Sequence, residues 1–267
     1  MLKRCLLAVI VALLVTSSQI AAAEDVDWNS APKISSKSQL ANYIEEGRLK
    51  GQKVFYFIFP SVKIRNDQER EAFRIEIAQS NAIPYCLLDV EGGFGTGRFI
   101  FTITRQDFIG TRVANAYLNG DISKLTPDEL ELYRKALPIV NEAKKYSSER
   151  KKARYIHDEI CKRVDYRSQT NQDAFGALVI GKTNCKGYSD AFYMLGVMSG
   201  LNVRRIGGTF DGDGHVWNTI TLSNGKSYCV DVTQDDDGND SHEYFLATLE
   251  VMKRHHSCEW EIIPNLQ

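Results

Sequence analysis

The sequence lacks an apolar run of the length that crosses a membrane. The run from Cys5 to Val15 has eleven residues, whereas a membrane-spanning helix needs about 20. Lys3 and Arg4 precede this run and the small residues Ala21-Ala22-Ala23 follow it, an order typical of a secretory signal peptide over residues 1–23. We therefore expect cleavage near Ala23, a mature protein without a membrane span, and a location that is secreted, periplasmic or at the cell surface.

An excess of charge of either sign is also absent. The 267 residues include 33 lysines and arginines against 34 aspartates and glutamates, which gives a net charge of −1. There is no basic stripe with interleaved aromatic residues and no block of like charges, so the sequence argues against a nucleic-acid partner and a charged tail. Hydrophobic residues make up 43% of the chain, enough to bury a full core in one large domain or two modest ones.

The spacings that hold zinc are missing as well. There is no Cys-x-x-Cys pair, and the adjacent His255 and His256 direct their rings to different sides. Of the six cysteines, Cys5 leaves with the signal peptide, and the odd number that remains indicates a free reactive thiol in a secreted protein. If Cys185 is that thiol, the other four either form two disulfides in one of three pairings or stay reduced: Cys86, Cys161, Cys229 and Cys258. We predict no metal and no cofactor.

Two loops carry residues that ligand-binding motifs use, and both depart from those motifs. The glycine-rich residues 91–97 lack the third glycine of a dinucleotide-binding loop and precede a strand, which favours a hairpin. The acidic residues 235–240 suggest calcium. However, aligning Gly238 with the invariant EF-hand glycine puts Thr233 and Tyr244 at the first and last ligand positions. A solvated turn is therefore the better interpretation.

Hydrophobic periodicity divides the rest of the chain into two regions. Residues 24–125 are predicted to be a small α/β region with an accessory or packing role, with helices over 37–50 and 67–79 and strands over 54–59, 85–90 and 98–104. Thr126-Pro127-Asp128-Glu129 is a capping box with proline at the first helical position, which predicts the start of a second region, 126–267. Helices followed by successive antiparallel strands favour an α+β fold there.

The stretch Thr183–Gly200 predicts the helix on which the function depends. Its apolar residues recur at the spacing of a buried stripe, and Gly200 is placed for a left-handed helix end; the stripe is Tyr188, Ala191, Phe192 and Leu195. Cys185 then falls in the first turn, where unsatisfied N–H groups and the helix dipole lower the pKa of a thiol. A lone cysteine is more often a small buried hydrophobe, so the residues downstream decide between the two interpretations.

A Cys–His–Asp site requires His215 and Asp231 on one face of neighbouring strands. A two-residue loop between these strands, Asn224-Gly225, would put the two side chains on opposite faces. A three-residue loop, Ser223-Asn224-Gly225, pairs Leu222 with Lys226. Asp231 then lies opposite Trp217 and is a same-face diagonal neighbour of His215. The catalytic interpretation therefore predicts the three-residue loop.

Three motifs follow one another over roughly residues 130–267: Asn184-Cys185-Lys186-Gly187-Tyr188, His215-Val216-Trp217-Asn218 and Val230-Asp231-Val232-Thr233. Together they resemble the transglutaminase-like superfamily, most closely its secreted bacterial branch of cysteine proteases and acyltransferases. The resemblance implies a papain-like core, in which a helix bearing the cysteine packs on an antiparallel sheet bearing the histidine and the aspartate. Cys185 would be the nucleophile, His215 the base and Asp231 the orienting acid. Two departures are a His-to-Asp hairpin one residue longer than usual and Gln234 where many relatives carry tryptophan.

The implied function is a cysteine-dependent amide hydrolase or acyl transferase that acts on peptide or protein amides through a thioester. Hydrolysis is preferred. The alternatives are a transglutaminase that cross-links proteins by transfer to an amine, and a non-catalytic cell-envelope binding module that retains the fold. Tyr166 is a candidate oxyanion donor beside the Cys185 N–H, and Trp217 is either a substrate wall or part of the core. The expected partner is a peptide or protein substrate, with a cell-envelope component as one option.

Overall fold

The computed structural model describes residues 26–50, 52–80, 88–103, 108–168, 171–236 and 241–267. The predicted signal peptide lies outside these ranges, as do Cys86, the beginning of the strand predicted at 85–90, and residues 237–240 of the acidic loop. Within the described ranges, no helix combines the length and the apolar character that a membrane span requires.

The first region is a three-stranded sheet covered by helices. Its elements are α1 (Lys37–Leu49), β1 (Val54–Ile58), α2 (Asp67–Ser80), β2 (Leu88–Gly92) and β3 (Arg98–Ile103). The strand order is β1-β3-β2, and β2 pairs antiparallel with β3, so the glycine-rich residues 91–97 form the predicted hairpin. This region has its own aromatic core, which includes Phe55, Phe57, Phe99 and Phe101.

Three helices follow: α3 (Ile109–Asn119), α4 (Pro127–Ala143) and α5 (Glu149–Cys161). The predicted capping box is present, because the Thr126 side chain accepts the Glu129 N–H and the Glu129 carboxylate accepts the Thr126 N–H at 2.7 Å. The helix α3 packs Val113 and Ala114 into the same core as α4 and α5. It therefore completes the larger core, although the sequence-based division assigns it to residues 24–125.

The central element is α6 (Cys185–Met198), which follows β4 (Asp165–Tyr166), a π-helical turn (Gly176–Ile180) and β5 (Lys182–Thr183). It begins after the N-cap Asn184 and ends before Gly200, whose φ of +81° is the predicted left-handed helix end. The predicted stripe is buried, but every residue from Gly187 to Met198 is buried as well. The helix is thus enclosed on all sides, where the sequence pattern predicted one apolar face.

The helix α6 packs on a five-stranded antiparallel sheet with the order β10-β6-β7-β8-β9. The strands are β6 (Asn202–Phe210), β7 (Asp213–Thr221), β8 (Ser227–Val230), β9 (Phe245–Ala247) and β10 (His256–Ser257). Two short helices, α7 (Val232–Asp235) and α8 (Leu249–Met252), and a 3-10 turn (Trp260–Ile262) complete this end of the chain. A cysteine-bearing helix on an antiparallel sheet is the papain-like core of the predicted α+β fold.

The hairpin between β7 and β8 has the predicted three-residue loop. Asn218 lies opposite Val230, and the Leu222 N–H donates to the Lys226 carbonyl at 2.9 Å. Gly225 adopts a φ of +80°, the left-handed conformation that such loops require. The strand that the sequence analysis extended to Asp231, opposite Trp217, ends at Val230 instead, because Asp231 caps α7.

Candidate active site

Cys185 is the first residue of α6, and the local sequence holds it there. Asn184 accepts a backbone N–H of the first turn on its Oδ1 at 3.1 Å. Gly187 allows the turn to approach its surroundings closely, because a Cβ at that position would collide with the Thr183 hydroxyl and lie 2.7 Å from the Asp173 carbonyl oxygen. The thiol therefore lies at the N-terminal end of a buried helix, where N–H groups and the dipole favour a thiolate.

His215 and Asp231 meet across the β7–β8 hairpin. Nε2 of His215 lies 2.6 Å from Oδ2 of Asp231, and the two side chains are only 6% and 1% exposed. The other carboxylate oxygen accepts the backbone N–H groups of Thr233 and Gln234 at 3.1 and 3.4 Å. Asp231 is therefore held by the cap of α7 while it contacts the imidazole, which is the same-face contact that the three-residue loop predicted.

The thiol of Cys185 interacts with the same imidazole. Because Nε2 is engaged by Asp231, Nδ1 is the ring nitrogen that remains for the thiol. Burial raises the pKa of Cys185, but the hydrogen bond and charge of His215, with the N–H of Val216, outweigh it, so the thiol pKa is lowered.

The pKa values of His215 and Asp231 shift in opposite directions. Burial disfavours the imidazolium, yet the charge and hydrogen bond of Asp231, with the thiol of Cys185, raise the pKa of His215 to about 10. Burial also disfavours the carboxylate, but His215 and a second histidine lower the pKa of Asp231 to about 2. These directions favour a thiolate, an imidazolium and a carboxylate in one contact at neutral pH.

The second histidine is His256, which the sequence analysis did not assign to the site. Its Nε2 lies 2.8 Å from Oδ2 of Asp231, and its side chain is fully buried. Its neighbour His255 contacts Asp211 at 2.9 Å on the surface, so the two rings point to different sides as predicted. The pairing of β10 with β6 brings His256 to this position, and no local spacing in the sequence could have indicated it.

Two buried contacts hold the cysteine helix against the histidine strand. The side-chain amide of Asn218, on β7, donates to the Ser189 carbonyl on α6 at 3.1 Å and to a carbonyl on β6 at 3.3 Å. The Ser189 hydroxyl donates to the Trp217 carbonyl at 3.1 Å. The Trp-Asn pair that follows His215 therefore fixes the distance between helix and sheet.

The other two candidates lie in different environments. Tyr166 pairs with Thr183, which comes two residues before Cys185 in the chain. Tyr166 is 48% exposed. Burial and the charge of the Cys185 thiolate raise the pKa of Tyr166. Trp217 is 1% exposed and stacks on His215 with ring centroids 6.0 Å apart. This corrects the substrate-wall interpretation of Trp217, because a ring so enclosed packs beneath the imidazole in the core.

The described cysteines do not form disulfides. Cys161, Cys185, Cys229 and Cys258 are all free thiols, which leaves the reduced alternative for Cys161, Cys229 and Cys258; Cys86 lies outside the described residues. Burial raises the pKa of Cys229 to about 12, and it also raises the pKa of Cys161 and Cys258. Among the described thiols, Cys185 is thus the one with a lowered pKa.

Comparisons with known proteins locate the similarity in the same part of the chain. Residues 138–232 match the family model described as the transglutaminase-like superfamily. The comparison with curated proteins gave no match. Among solved structures, the chain is similar to one described as a TGase, with 17% identity, a TM-score of 0.38, and coverage of 70% of this chain and 52% of that one. It is also similar to the periplasmic domain of TgpA from Pseudomonas aeruginosa, with 9% identity, a TM-score of 0.35, and coverage of 56% and 63%.

This chain therefore spans less than two thirds of the length of either solved structure. The family match covers the cysteine helix, the histidine strand and the residue that caps α7. Motif order, the papain-like core and the family match agree, and residues 138–232 of this chain are similar to the transglutaminase-like superfamily.

Proposed function

We propose that this chain is an extracytoplasmic cysteine-dependent amide hydrolase or acyl transferase with the triad Cys185, His215 and Asp231. The observation that supports this most is the buried contact between Asp231 and His215. The Asp231 carboxylate lies 2.6 Å from Nε2, and the same imidazole lowers the pKa of the Cys185 thiol. The transglutaminase-like superfamily is associated with cysteine protease and transglutaminase activity, and this geometry fits both.

The first half of the proposed reaction forms a thioester. The Cys185 thiolate attacks the carbonyl carbon of a peptide or protein amide, and the charge that develops on the oxygen is stabilised by the Cys185 N–H and the Tyr166 phenol. When the tetrahedral intermediate collapses, the C–N bond breaks and the His215 imidazolium transfers its proton to the leaving amine. Asp231 holds the ring in the tautomer that this transfer needs.

The second half releases the acyl group. Water attacks the thioester while His215 takes a proton from it, the C–S bond breaks, and the products are a carboxylic acid and the free Cys185 thiol. A primary amine in place of water gives an amide and makes the protein a cross-linking enzyme. The triad serves both acceptors equally. For a protein with the expected extracytoplasmic location we favour water, and we treat transfer to an amine as an outcome of the test.

Alkylation of Cys185 tests the triad without a known substrate. The full chain is treated with iodoacetamide from pH 5 to 9, and the modified peptides are quantified by mass spectrometry. We expect modification of Cys185 to persist near pH 5–6 and to slow in His215→Ala. The surface variant His255→Ala serves as the matched control and should behave as the wild type. Labelling of Cys185 that follows an ordinary thiol pKa near ~8.5 would instead support the non-catalytic binding module.

The acceptor is identified with a glutamine-containing protein and a labelled primary amine. Release of ammonia or peptide fragments without incorporation of the amine supports hydrolysis, and Cys185→Ser provides the background. Incorporation of the amine into the protein would overturn the preference for water. The proposed location is tested separately by N-terminal sequencing of the secreted protein, which should begin directly after Ala23.

A further inference from the structure

A second cluster of histidine, aspartate and cysteine side chains lies outside the proposed triad. His157, Asp158 and Cys161 occupy one turn of α5, and His242 approaches them from the loop before β9. Nδ1 of His157 and Nε2 of His242 each lie 3.0 Å from Oδ1 of Asp158, and the Cys161 sulfur lies 4.0 Å from Nδ1 of His157. The cluster borders a cavity of about 350 Å³.

The buried environment of His157 orients its lone pair toward this cluster. Its Nε2 lies 3.1 Å from Oδ2 of Asp235, and the two side chains are 1% and 0% exposed. A carboxylate at one imidazole nitrogen holds the proton there and leaves the other nitrogen as an acceptor, which is how proteins orient histidines that bind metals. Nδ1 of His157 then faces Oδ1 of Asp158, a second acceptor, at 3.0 Å. Two acceptors at this distance require a cation or a proton between them.

We propose that this cluster is a binding site for a divalent transition metal of the Zn²⁺ class, with Nδ1 of His157, a carboxylate oxygen of Asp158 and Nε2 of His242 as ligands. The ligand atoms of these three residues all lie within 4.8 Å of one another, and the two nitrogens each lie 3.0 Å from Oδ1 of Asp158. A tetrahedron with Zn–N and Zn–O bonds of about 2.0–2.2 Å has edges of roughly 3.3–3.6 Å, so small shifts of the side chains admit the metal. Two imidazole nitrogens beside a carboxylate oxygen favour Zn²⁺ over calcium or magnesium. The Cys161 sulfur, 4.0 Å from Nδ1 of His157, borders the site and is not one of the three ligands.

The charges around the cavity favour a cation. Asp158, Asp235 and Asp236 line it with three carboxylates, against the side chains of Arg154 and Lys162. Arg154 shares Asp158, since its Nε lies 2.9 and 3.1 Å from the two carboxylate oxygens, so Asp158 binds the metal through one oxygen while Arg154 retains the other. Lys162 extends to a glutamate at 3.4 Å.

The proposed metal site and the proposed triad share the helix α7. Asp231 is the N-cap of α7 and Asp235 is its last residue, and the Cys161 thiol lies 4.0 Å from the carbonyl of Val232. A metal on His157 therefore stabilises the segment that positions Asp231. The sequence analysis predicted no metal, because two of the ligands are adjacent in α5 and the third, His242, is 84 residues away from Asp158, a pattern that no zinc motif has.

The test is titration of the metal-free full chain with Co²⁺, which reports on its ligands by its visible spectrum, and with Zn²⁺ in competition. It is carried out in the wild type and in Cys185→Ser, so that metal held by the active-site thiol is identified. We expect one Co²⁺ per chain in both, with the visible bands of tetrahedral cobalt. His242→Ala and Asp158→Asn should each weaken binding by at least roughly tenfold, and Cys161→Ser should bind as the wild type does.

Two matched variants serve as controls. His255→Ala removes a surface histidine outside the cluster, and Cys258→Ser removes a free thiol elsewhere; both should bind Co²⁺ as the wild type does. Binding that is unchanged in both His242→Ala and Asp158→Asn would overturn the proposal. So would the absence of stoichiometric binding in a wild type that circular dichroism shows to be folded, and a proton would then occupy the cluster. Alkylation of Cys185, measured in parallel, reports on the triad independently.

Discussion

At the scale of single residues, the candidate site is a chain of four side chains and not three. The thiol of Cys185 interacts with His215, His215 contacts Asp231, and Asp231 contacts His256 through the oxygen that it also presents to His215. A carboxylate with two imidazole partners and two N–H groups from α7 has little freedom to rotate. We therefore regard His256 as a positioning residue that acts through Asp231.

Replacement of His256 should change reactivity at Cys185 without removing any group that contacts the thiol. In His256→Phe, the Asp231 carboxylate loses a hydrogen-bond donor, and we expect the rate of Cys185 alkylation at pH 6 to fall by roughly 10- to 100-fold, since small displacements of catalytic groups have effects of this size. The pH at which the thiolate forms should rise. His256→Gln retains a donor and should restore most of the rate. A loss of rate with no change in pH dependence would indicate a purely structural role.

The His215–Asp231 pair predicts how stability depends on pH. The folded-state pKa of His215 is raised from 6.5 to about 10, so its contribution to stability is fully present below pH 6.5 and is lost as the pH rises toward 10. Stability is measured in Cys185→Ala, with and without His215→Gln, so that the thiol does not titrate. Because the thiolate that helps to raise the pKa of His215 is then absent, the contribution of His215 to stability is lost at a pH below 10. Urea unfolding should show the stability difference shrinking between pH 6 and 9. A difference that grows over this range would contradict the assignment.

At the scale of elements, the position of the nucleophile depends on how α6 begins. The helix starts between the N-cap Asn184 and the close approach at Gly187, where the backbone of the first turn meets β5. Opposite it, the three-residue loop sets the register that directs His215 toward Asp231. A helix cap and a hairpin loop, both local features, thus place the three side chains of the proposed triad.

Gly187→Ala tests the first of these features. The added methyl group would overlap the Thr183 hydroxyl and crowd the Asp173 carbonyl, so the start of α6 must shift. We expect the free energy of unfolding to fall by about 1–3 kcal/mol, the usual cost of overpacking a tight site, and Cys185 alkylation at pH 6 to slow. Gly214→Ala is the matched control, because its Cβ would meet no atom within 4 Å and its φ is not positive. Equal unfolding midpoints in urea for the two variants would contradict this account.

At the scale of the whole molecule, a buried ion pair joins four segments of the larger core. Arg205 on β6 contacts Asp190 on α6, and the Arg205 and Asp190 side chains are 1% and 0% exposed. The other oxygen of Asp190 accepts the N–H of Gly110 on α3 at 3.1 Å and of Ala174, before the π-helical turn, at 3.0 Å. Arg205 also donates to Thr111 at 3.0 Å. The pair connects α3, α6 and the sheet around the cysteine helix.

Removal of one partner of this pair should destabilise the whole domain. In Asp190→Asn, the Arg205 charge remains buried without its counter-charge, and we expect a loss of about 3–5 kcal/mol in the free energy of unfolding. The exposed pair of Lys145 and Glu142 provides the comparison, and Lys145→Ala should leave the stability nearly unchanged. Similar effects for the two variants in urea unfolding would show that the buried pair has no special role.

Much of the fold could be predicted because its signals are local. The capping box at Thr126, the N-cap before Cys185, the helix end at Gly200 and the loop at Gly225 each depend on a few neighbouring residues. The strand end at Val230 was placed wrongly, because the side chain of Asp231 caps α7 and β-propensity alone did not indicate it. The order of the three motifs was enough to predict the family and the papain-like core.

The sequence by itself therefore determined where the helices begin, which loop joins β7 and β8, and which three side chains are candidates for the triad, since backbone capping and strand register act over short distances. Only the tertiary structure decided that α6 is enclosed on every side, that Trp217 lies in the core, and that His256 shares Asp231. It also brought His242 to His157 and Asp158. These contacts join residues far apart in the chain, and they depend on how the helices and the sheet pack, which no local pattern encodes.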